Sequence, residues 1–238
     1  MLEGLFDESR SARVTTRPLL RQSPQSPPAR PHIAWGLRRG LLVVAAACAL
    51  LVWVTQRVFV QSARGQGWDE GWRTDVAQAA GKVWEARAHE FGVVSLRLGL
   101  FLCLVLALIA LARQRMDLFV RGAVVVAGAN ATTQILKRVV IERPDFSVGY
   151  GPNALPSGHV TLVASIVIAA LIVLPAAIRP LVALVGGAWV VVVSVATVVS
   201  GWHRPSDVVA ALLVCAGWAA LVGSVHTTTR WTHPATAR

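Results

Sequence analysis

Residues Lys137–His159 read KRVVIERPDFSVGYGPNALPSGH, a polar stretch broken by Gly and Pro that sits between two long apolar runs. It holds three cations, Lys137, Arg138 and Arg143, and one imidazole, His159, where the flanking segments are almost wholly Val, Ala, Leu and Ile. A second polar island, Ser200–Asp207 (SGWHRPSD), follows one helical hairpin later. Outward from these islands the chain divides into apolar runs near or above about 18 residues, long enough as helices to cross roughly 30 Å of hydrocarbon. The runs lie at about Gly40–Val60, Gly92–Ala112, Leu118–Leu136, Val160–Ile178, Leu181–Val199 and Val208–Val225. The expected fold is therefore an all-α integral membrane protein, a six-transmembrane helical bundle occupying residues 40–225.

Composition agrees. With 55% hydrophobic and 15% charged residues in 238, the chain is not an ordinary soluble domain. The formal charge of +11 raises nucleic acid as a partner, but the arginines flank the apolar runs as the positive-inside bias requires. No nucleic-acid partner is expected. Residues 1–39 are rich in Arg, Pro and Ser without an apolar period and read as a disordered basic cytoplasmic tail. A secretory signal would place its apolar core nearer the start. Residues 226–238 read as a cytoplasmic C-terminal tail. Cys48, Cys103 and Cys215 fall inside apolar runs, where a free thiol behaves as a small hydrophobe, and no ligand spacing suggests a metal. No metal or cofactor is expected.

Charge also sets the orientation. Seven arginines, Arg10, Arg13, Arg17, Arg21, Arg30, Arg38 and Arg39, precede the first span, and Arg113, Arg115 and Arg179 lie in even-numbered turns. Placing those segments in the cytoplasm puts both polar islands on the extracytoplasmic face. The connector Gln61–Phe91 carries Trp68, Trp72 and Trp84 among charged residues, with Trp72, Val76, Ala79 and Val83 at helical spacing. It reads as an amphipathic helix at the lipid–water boundary. Asn130, Gln134 and Lys137 share one helix face leading to the first island. For Asn130 and Gln134 the expected role is hydrogen bonding to neighbouring helices. Gly186-Gly187 allows close helix approach. Trp202 reads as an interfacial anchor, and His89 as a packing or interfacial residue.

A site for a phosphate ester accounts for more of the island residues than a pH sensor or proton relay does. Lys137 and Arg143 supply charge, and a guanidinium matches phosphate oxygens with paired hydrogen bonds. Ser157, Gly158 and His159 fall where a helix begins, so backbone N–H groups and the helix dipole favour an anion there. His203 and Asp207 are four apart, an imidazole with a carboxylate to orient it, which is the pattern of an activated nucleophile. His159, from another helix, is placed to protonate a leaving oxygen. These parts describe phosphoryl transfer to His203 and hydrolysis of the phosphohistidine.

In these residues the chain resembles the type-2 phosphatidic acid phosphatase superfamily, which includes glucose-6-phosphatases and the soluble vanadium haloperoxidases. Pro156-Ser157-Gly158-His159 matches the second family motif, His203 and Asp207 match the end of the third, and Lys137 with Arg143-Pro144 resembles the first. The resemblance covers roughly residues 40–225. It implies a metal-independent phosphatase acting on a lipid phosphate or diphosphate at the extracytoplasmic face, with phosphatidic acid, phosphatidylglycerol phosphate or polyprenyl phosphates as substrate types. It implies His203 as nucleophile, Asp207 as its partner, His159 as acid, and Lys137, Arg143, Ser157 and Gly158 as phosphate ligands.

The chain departs from the family pattern twice. Five residues rather than six separate Lys137 from Arg143, which leaves Arg138 as a competing cation. The third motif's Ser-Arg is replaced by Ala196 and Thr197, so Arg204 beside His203 is the expected substitute for the missing charge. Two other readings stand beside the phosphatase: a catalytically weakened relative that binds lipid phosphates, and a transporter whose polar islands line a path.

Overall fold

A computed structural model describes residues 31–148 and 153–229. Residues 1–30, 149–152 and 230–238 lie outside the described residues, and with them most of the expected N-terminal tail and part of the C-terminal one. Among the described residues helix is the regular structure, with no strand. Its helices are α1 (Pro31–Thr55), α2 (Ala63–Ala80), α3 (Lys82–Ala112), α4 (Met116–Ile135), α5 (Gly158–Val173), α6 (Arg179–Val199) and α7 (Pro205–Thr229). A π-helical turn extends α1 over Gln56–Val60 and another extends α4 over Leu136–Val140.

The first helix begins at Pro31 rather than Gly40, so residues 31–39 are helix and not disordered tail. The connector is helical, as its spacing suggested, but it divides at Gly81, whose φ of +78° suits glycine. Everything after Gly81 belongs to α3, which starts ten residues before the expected second span. Trp84 accordingly packs on Phe91, with ring centroids 6.2 Å apart, within a cluster around Ala88, Ala196 and Val199. Trp68 and Trp72, on α2, stay half exposed.

The segments Trp35–Val60, Lys82–Ala112, Ala176–Val199 and Pro205–Val225 are long and apolar enough to cross a membrane. Helix α5, at 16 residues, is shorter but apolar on every side. A helix without a polar face belongs inside a bundle, and α5 packs against α3, α4, α6 and α7. Outer helices α3 and α6 instead turn large apolar side chains outward, including Leu100, Phe101, Leu184 and Val185. In water this would be an unusually large apolar surface; in lipid it is the expected one. Gly186 lets α6 approach α5, because a Cβ there would lie 2.7 Å from Val167, whereas Gly187 faces open space.

The two ends of α5 differ. At its C-terminal end Arg113 Nη1 donates to the Val173 carbonyl at 2.9 Å and Arg179 Nε to the Leu174 carbonyl at 3.3 Å. These cations satisfy carbonyls that a helix end leaves unpaired. The N-terminal end of α5 carries the polar islands.

Candidate active site

Ser157 caps α5: its hydroxyl accepts the Val160 N–H, while its own N–H donates to the Asp207 carbonyl at 2.9 Å. That second bond joins the Pro-Ser-Gly-His segment to the start of α7. Thr161 Oγ1 donates to the Ser157 carbonyl at 2.7 Å, and lies 3.0 Å from Thr133 Oγ1 on α4. Asn153 closes the remaining side. Its Nδ2 lies 3.1–3.2 Å from the carbonyls of Lys137, Ile141 and Leu155, and its Oδ1 accepts the Leu155 N–H. One side chain thus binds the end of the π turn to the loop entering α5.

At the head of α7, His203 Nδ1 lies 3.2 Å from Asp207 Oδ2, and the same oxygen accepts the Arg204 N–H at 2.9 Å. Both side chains are almost fully buried. With Asp207 as carboxylate, Nδ1 carries the hydrogen and the lone pair of Nε2 is left free. The His159 and His203 ring centroids stand 6.5 Å apart. Both imidazoles line a cavity of about 540 Å³ together with Leu96, Asn130, Gln134, Lys137, Arg138, Asn153, Gly158 and Leu162.

Asn130 therefore has two roles. It donates to Ser165 Oγ at 3.2 Å, the expected bond to a neighbouring helix, and it also lines the cavity. Lys137 and Arg138 sit in the π turn, where Ile141 N–H reaches back five residues to the Leu136 carbonyl. Both cations line the cavity, so the one-residue shortening of the first motif does not turn Lys137 away. Burial lowers the Lys137 ammonium from its ordinary value; Arg138 adds to this and Asp207 opposes it.

Arg143 is half-buried, and its Nη2 is buried without a hydrogen-bond partner among the described residues. Burial, then the charge of Arg204, presses its guanidinium below the usual value, against Asp207, Asp69 and Glu70. An unpaired buried donor of this kind costs on the order of 1–3 kcal/mol; Arg143 is not among the residues lining the cavity.

Arg204 is placed differently from expectation. Its Nε donates to Glu70 Oε2 on α2 at 3.1 Å, and it is not among the residues lining the cavity. Thr197, where the family motif has Arg, is fully buried; its hydroxyl donates to Ser194 and its carbonyl accepts the Trp202 and His203 N–H groups at 3.1 Å. Position 197 holds up the turn bearing His203.

Sequence reasoning missed two features. Trp202 is not simply an interfacial anchor: it packs on His159 at 5.1 Å between ring centroids, with His89 edge-on to its other side at 4.6 Å. A Cβ on Gly92 would strike its ring at 2.5 Å, so the glycine makes the recess that Trp202 occupies. The second feature is the acidic pair Asp69-Glu70 on α2. Asp69 accepts the Ser206 N–H at 2.9 Å and the Ser206 hydroxyl at 2.5 Å. Glu70 accepts from Arg73 as well as Arg204. Their adjacency to Trp68 and Trp72 on a helix beside an excess of cations was the available signal.

The PAP2 superfamily model matches residues 119–231, which contain every one of the motif residues above. That stretch of the chain is similar to the PAP2 superfamily. A transmembrane PAP2-type phosphatidylglycerolphosphate phosphatase from Bacillus subtilis shares the fold with this chain, with a TM-score of 0.58 over 84% of this chain and 98% of that one, at 17% identity. No curated protein matches the chain. Within the matched stretch lie Lys137, Arg143, His159, His203 and Asp207, the residues in which the chain resembles the superfamily's motifs, with Thr197 where the third motif has arginine.

Proposed function

We propose that the protein is a membrane lipid phosphatase working through a phosphohistidine at His203. The observation that carries this reading is the His203–Asp207 pair facing His159 across a cavity that Lys137 and Arg138 also line. Nε2 of His203 attacks phosphorus, forming an N–P bond as the P–O bond to the lipid breaks. His159 gives its proton to the departing oxygen. A water then loses a proton to His159, attacks phosphorus, and displaces His203 as inorganic phosphate leaves. Lys137, Arg143, the Ser157 hydroxyl and the Gly158 N–H at the α5 N-terminus bind the phosphoryl oxygens. No metal or cofactor is required by these steps.

The substrate class is a lipid phosphate or diphosphate of the phosphatidic acid, phosphatidylglycerol phosphate or polyprenyl type. The apolar Leu96 and Leu162 beside the polar lining suit a headgroup whose chains stay in lipid. Six crossings, with α4 and α5 joining the four longer spans, put the cavity on the extracytoplasmic side. Supporting this, Arg113 and Arg179 gather at the opposite end of α5, where the positive-inside bias places the cytoplasm.

The test is phosphate release by the purified protein in detergent from a panel of these lipids. Vanadate-sensitive, EDTA-insensitive release that His203→Ala abolishes is expected; turnover surviving His203→Ala overturns the mechanism. The buried Thr197 favours a second reading, a lipid-phosphate-binding relative with little turnover. Saturable lipid-phosphate binding without release from any lipid on the panel would select it.

A further inference from the structure

Helix α2 lies outside the family motifs, yet it is hydrogen-bonded to both polar islands. Toward the first, Gln66 Nε2 donates to the Pro144 carbonyl at 3.0 Å and Gln61, just before α2, to the Glu142 carbonyl at 2.6 Å. Toward the second, Asp69 holds Ser206 and Glu70 holds Arg204. The segment 203–207 is thus shared out by position. His203 and Asp207 pair with each other, while the intervening Arg204 and Ser206 are tied to α2.

We infer that Asp69 and Glu70 are positioning residues for the proposed reaction, fixing the His203–Asp207 pair through their grip on Ser206 and Arg204. The inference rests on the phosphohistidine reading above. Ser206 N–H is one of the first N–H groups of α7, which have no partner within the helix. Asp69 supplies that partner from another helix, with the negative charge that a helix N-terminus favours. Asp69 is fully buried, and burial pushes its carboxyl above the usual range against the pull of the two Ser206 bonds and the charge of Arg204, with Asp207 repelling it. A buried carboxylate is a poor source of stability but a good means of fixing one geometry. Burial alone would raise Glu70 too; its hydrogen bond and charge contact with Arg73, followed by Arg204, overcome this and hold it below the usual value, so it stays ionised. Glu70 holds the Arg204 guanidinium and, with it, the residue whose N–H meets Asp207 Oδ2. Small displacements of a nucleophile cost large factors in rate, about 10²-fold for 1 Å.

The experiment measures kcat and KM for Asp69→Ala, Asp69→Asn and Glu70→Gln against wild type in detergent, with thermal melting of each. Asp69→Ala and Glu70→Gln are expected to lower kcat about tenfold or more while KM stays within about twofold, since a misplaced nucleophile lowers kcat without weakening phosphate binding. Asp69→Asn, whose carboxamide oxygen still accepts the Ser206 N–H, restores most of the rate lost in Asp69→Ala. If Asp69→Ala does not fold, Ser206→Ala removes only the hydroxyl contact from the other side, and about a fivefold loss of kcat is expected from one hydrogen bond. Folded Glu70→Gln and Ser206→Ala variants with wild-type kcat overturn the inference while leaving the phosphatase reading intact. A wild type without vanadate-sensitive release removes that reading, and this inference with it.

Discussion

Oδ2 of Asp207 accepts both Nδ1 of His203, at 3.2 Å, and the Arg204 N–H, at 2.9 Å. One oxygen therefore sets the imidazole's tautomer and is itself held in place by the backbone. Asp207→Asn replaces that acceptor with an amide able to donate to Nδ1, which moves the ring hydrogen to Nε2 and blocks the attacking lone pair. Phosphate release is expected to fall by about 10²–10⁴-fold in kcat, with melting temperature little changed. A variant with near-wild-type kcat would separate Asp207 from the nucleophile's activation.

His159 is assigned the proton that the leaving oxygen needs, and that need depends on the leaving group. His159→Ala is expected to slow release from an alkyl lipid phosphate about 10²–10³-fold. An aryl phosphate such as p-nitrophenyl phosphate leaves as a stabilised phenolate and should lose far less. Equal losses on both substrates would argue that His159 binds phosphate instead of protonating the leaving oxygen.

Lys137 gives a pH test. The proposed role needs its cationic form, and burial, reinforced by Arg138 and opposed by Asp207, lowers the pH at which that cation is lost. The basic limb of kcat/KM, which reports the free enzyme, should then fall below the titration of an ordinary lysine at about 10.4. Lys137→Arg keeps its charge throughout and should move the limb to higher pH, with a rise in KM at neutral pH from the altered reach. A limb unmoved by Lys137→Arg assigns it to another group.

The His203–Asp207 pair and the helix start at Ser157 were legible because each is local in sequence. Four residues bring His203 and Asp207 onto one turn of α7, and Pro156-Ser157-Gly158-His159 marks a helix start by its own residue types. The register of Lys137 was not legible, because a π turn can absorb a residue and spacing arguments assume 3.6 per turn. Arg204 was misread for a related reason: its neighbour in sequence is His203, but its partner in space, Glu70, is 134 residues away. A separation of 137 residues hides the Asp69–Ser206 contact. A tryptophan such as Trp202 gives no sign in sequence of whether it faces lipid or an imidazole; the recess at Gly92 decides that, and Gly92 lies on another helix. The bundle itself was read from apolar run lengths, yet the ends of those runs missed the true starts of α1 and α3, since helices continue past the hydrocarbon boundary.

Gly65 provides a backbone test of how α2 is seated. A Cβ at this position would lie 1.8 Å from the Val58 carbonyl oxygen and 2.7 Å from its carbon, both backbone atoms of the π turn that ends α1. The same turn is tied to α2 by Ser62, whose hydroxyl donates to the Val58 carbonyl and accepts the Gly65 N–H. Neither partner is the free end of a flexible side chain, so Gly65→Ala must displace α2 itself. The expected loss is about 1–3 kcal/mol by overpacking, read as a lower melting temperature in detergent. Because α2 carries Asp69 and Glu70, kcat should fall with it. Gly71→Ala on the same helix meets nothing within 4 Å and should instead stabilise by about 0.5–1 kcal/mol through helix propensity, with kcat unchanged. If Gly65→Ala behaves like Gly71→Ala in both melting and turnover, α2 is not seated against the π turn as the contacts describe.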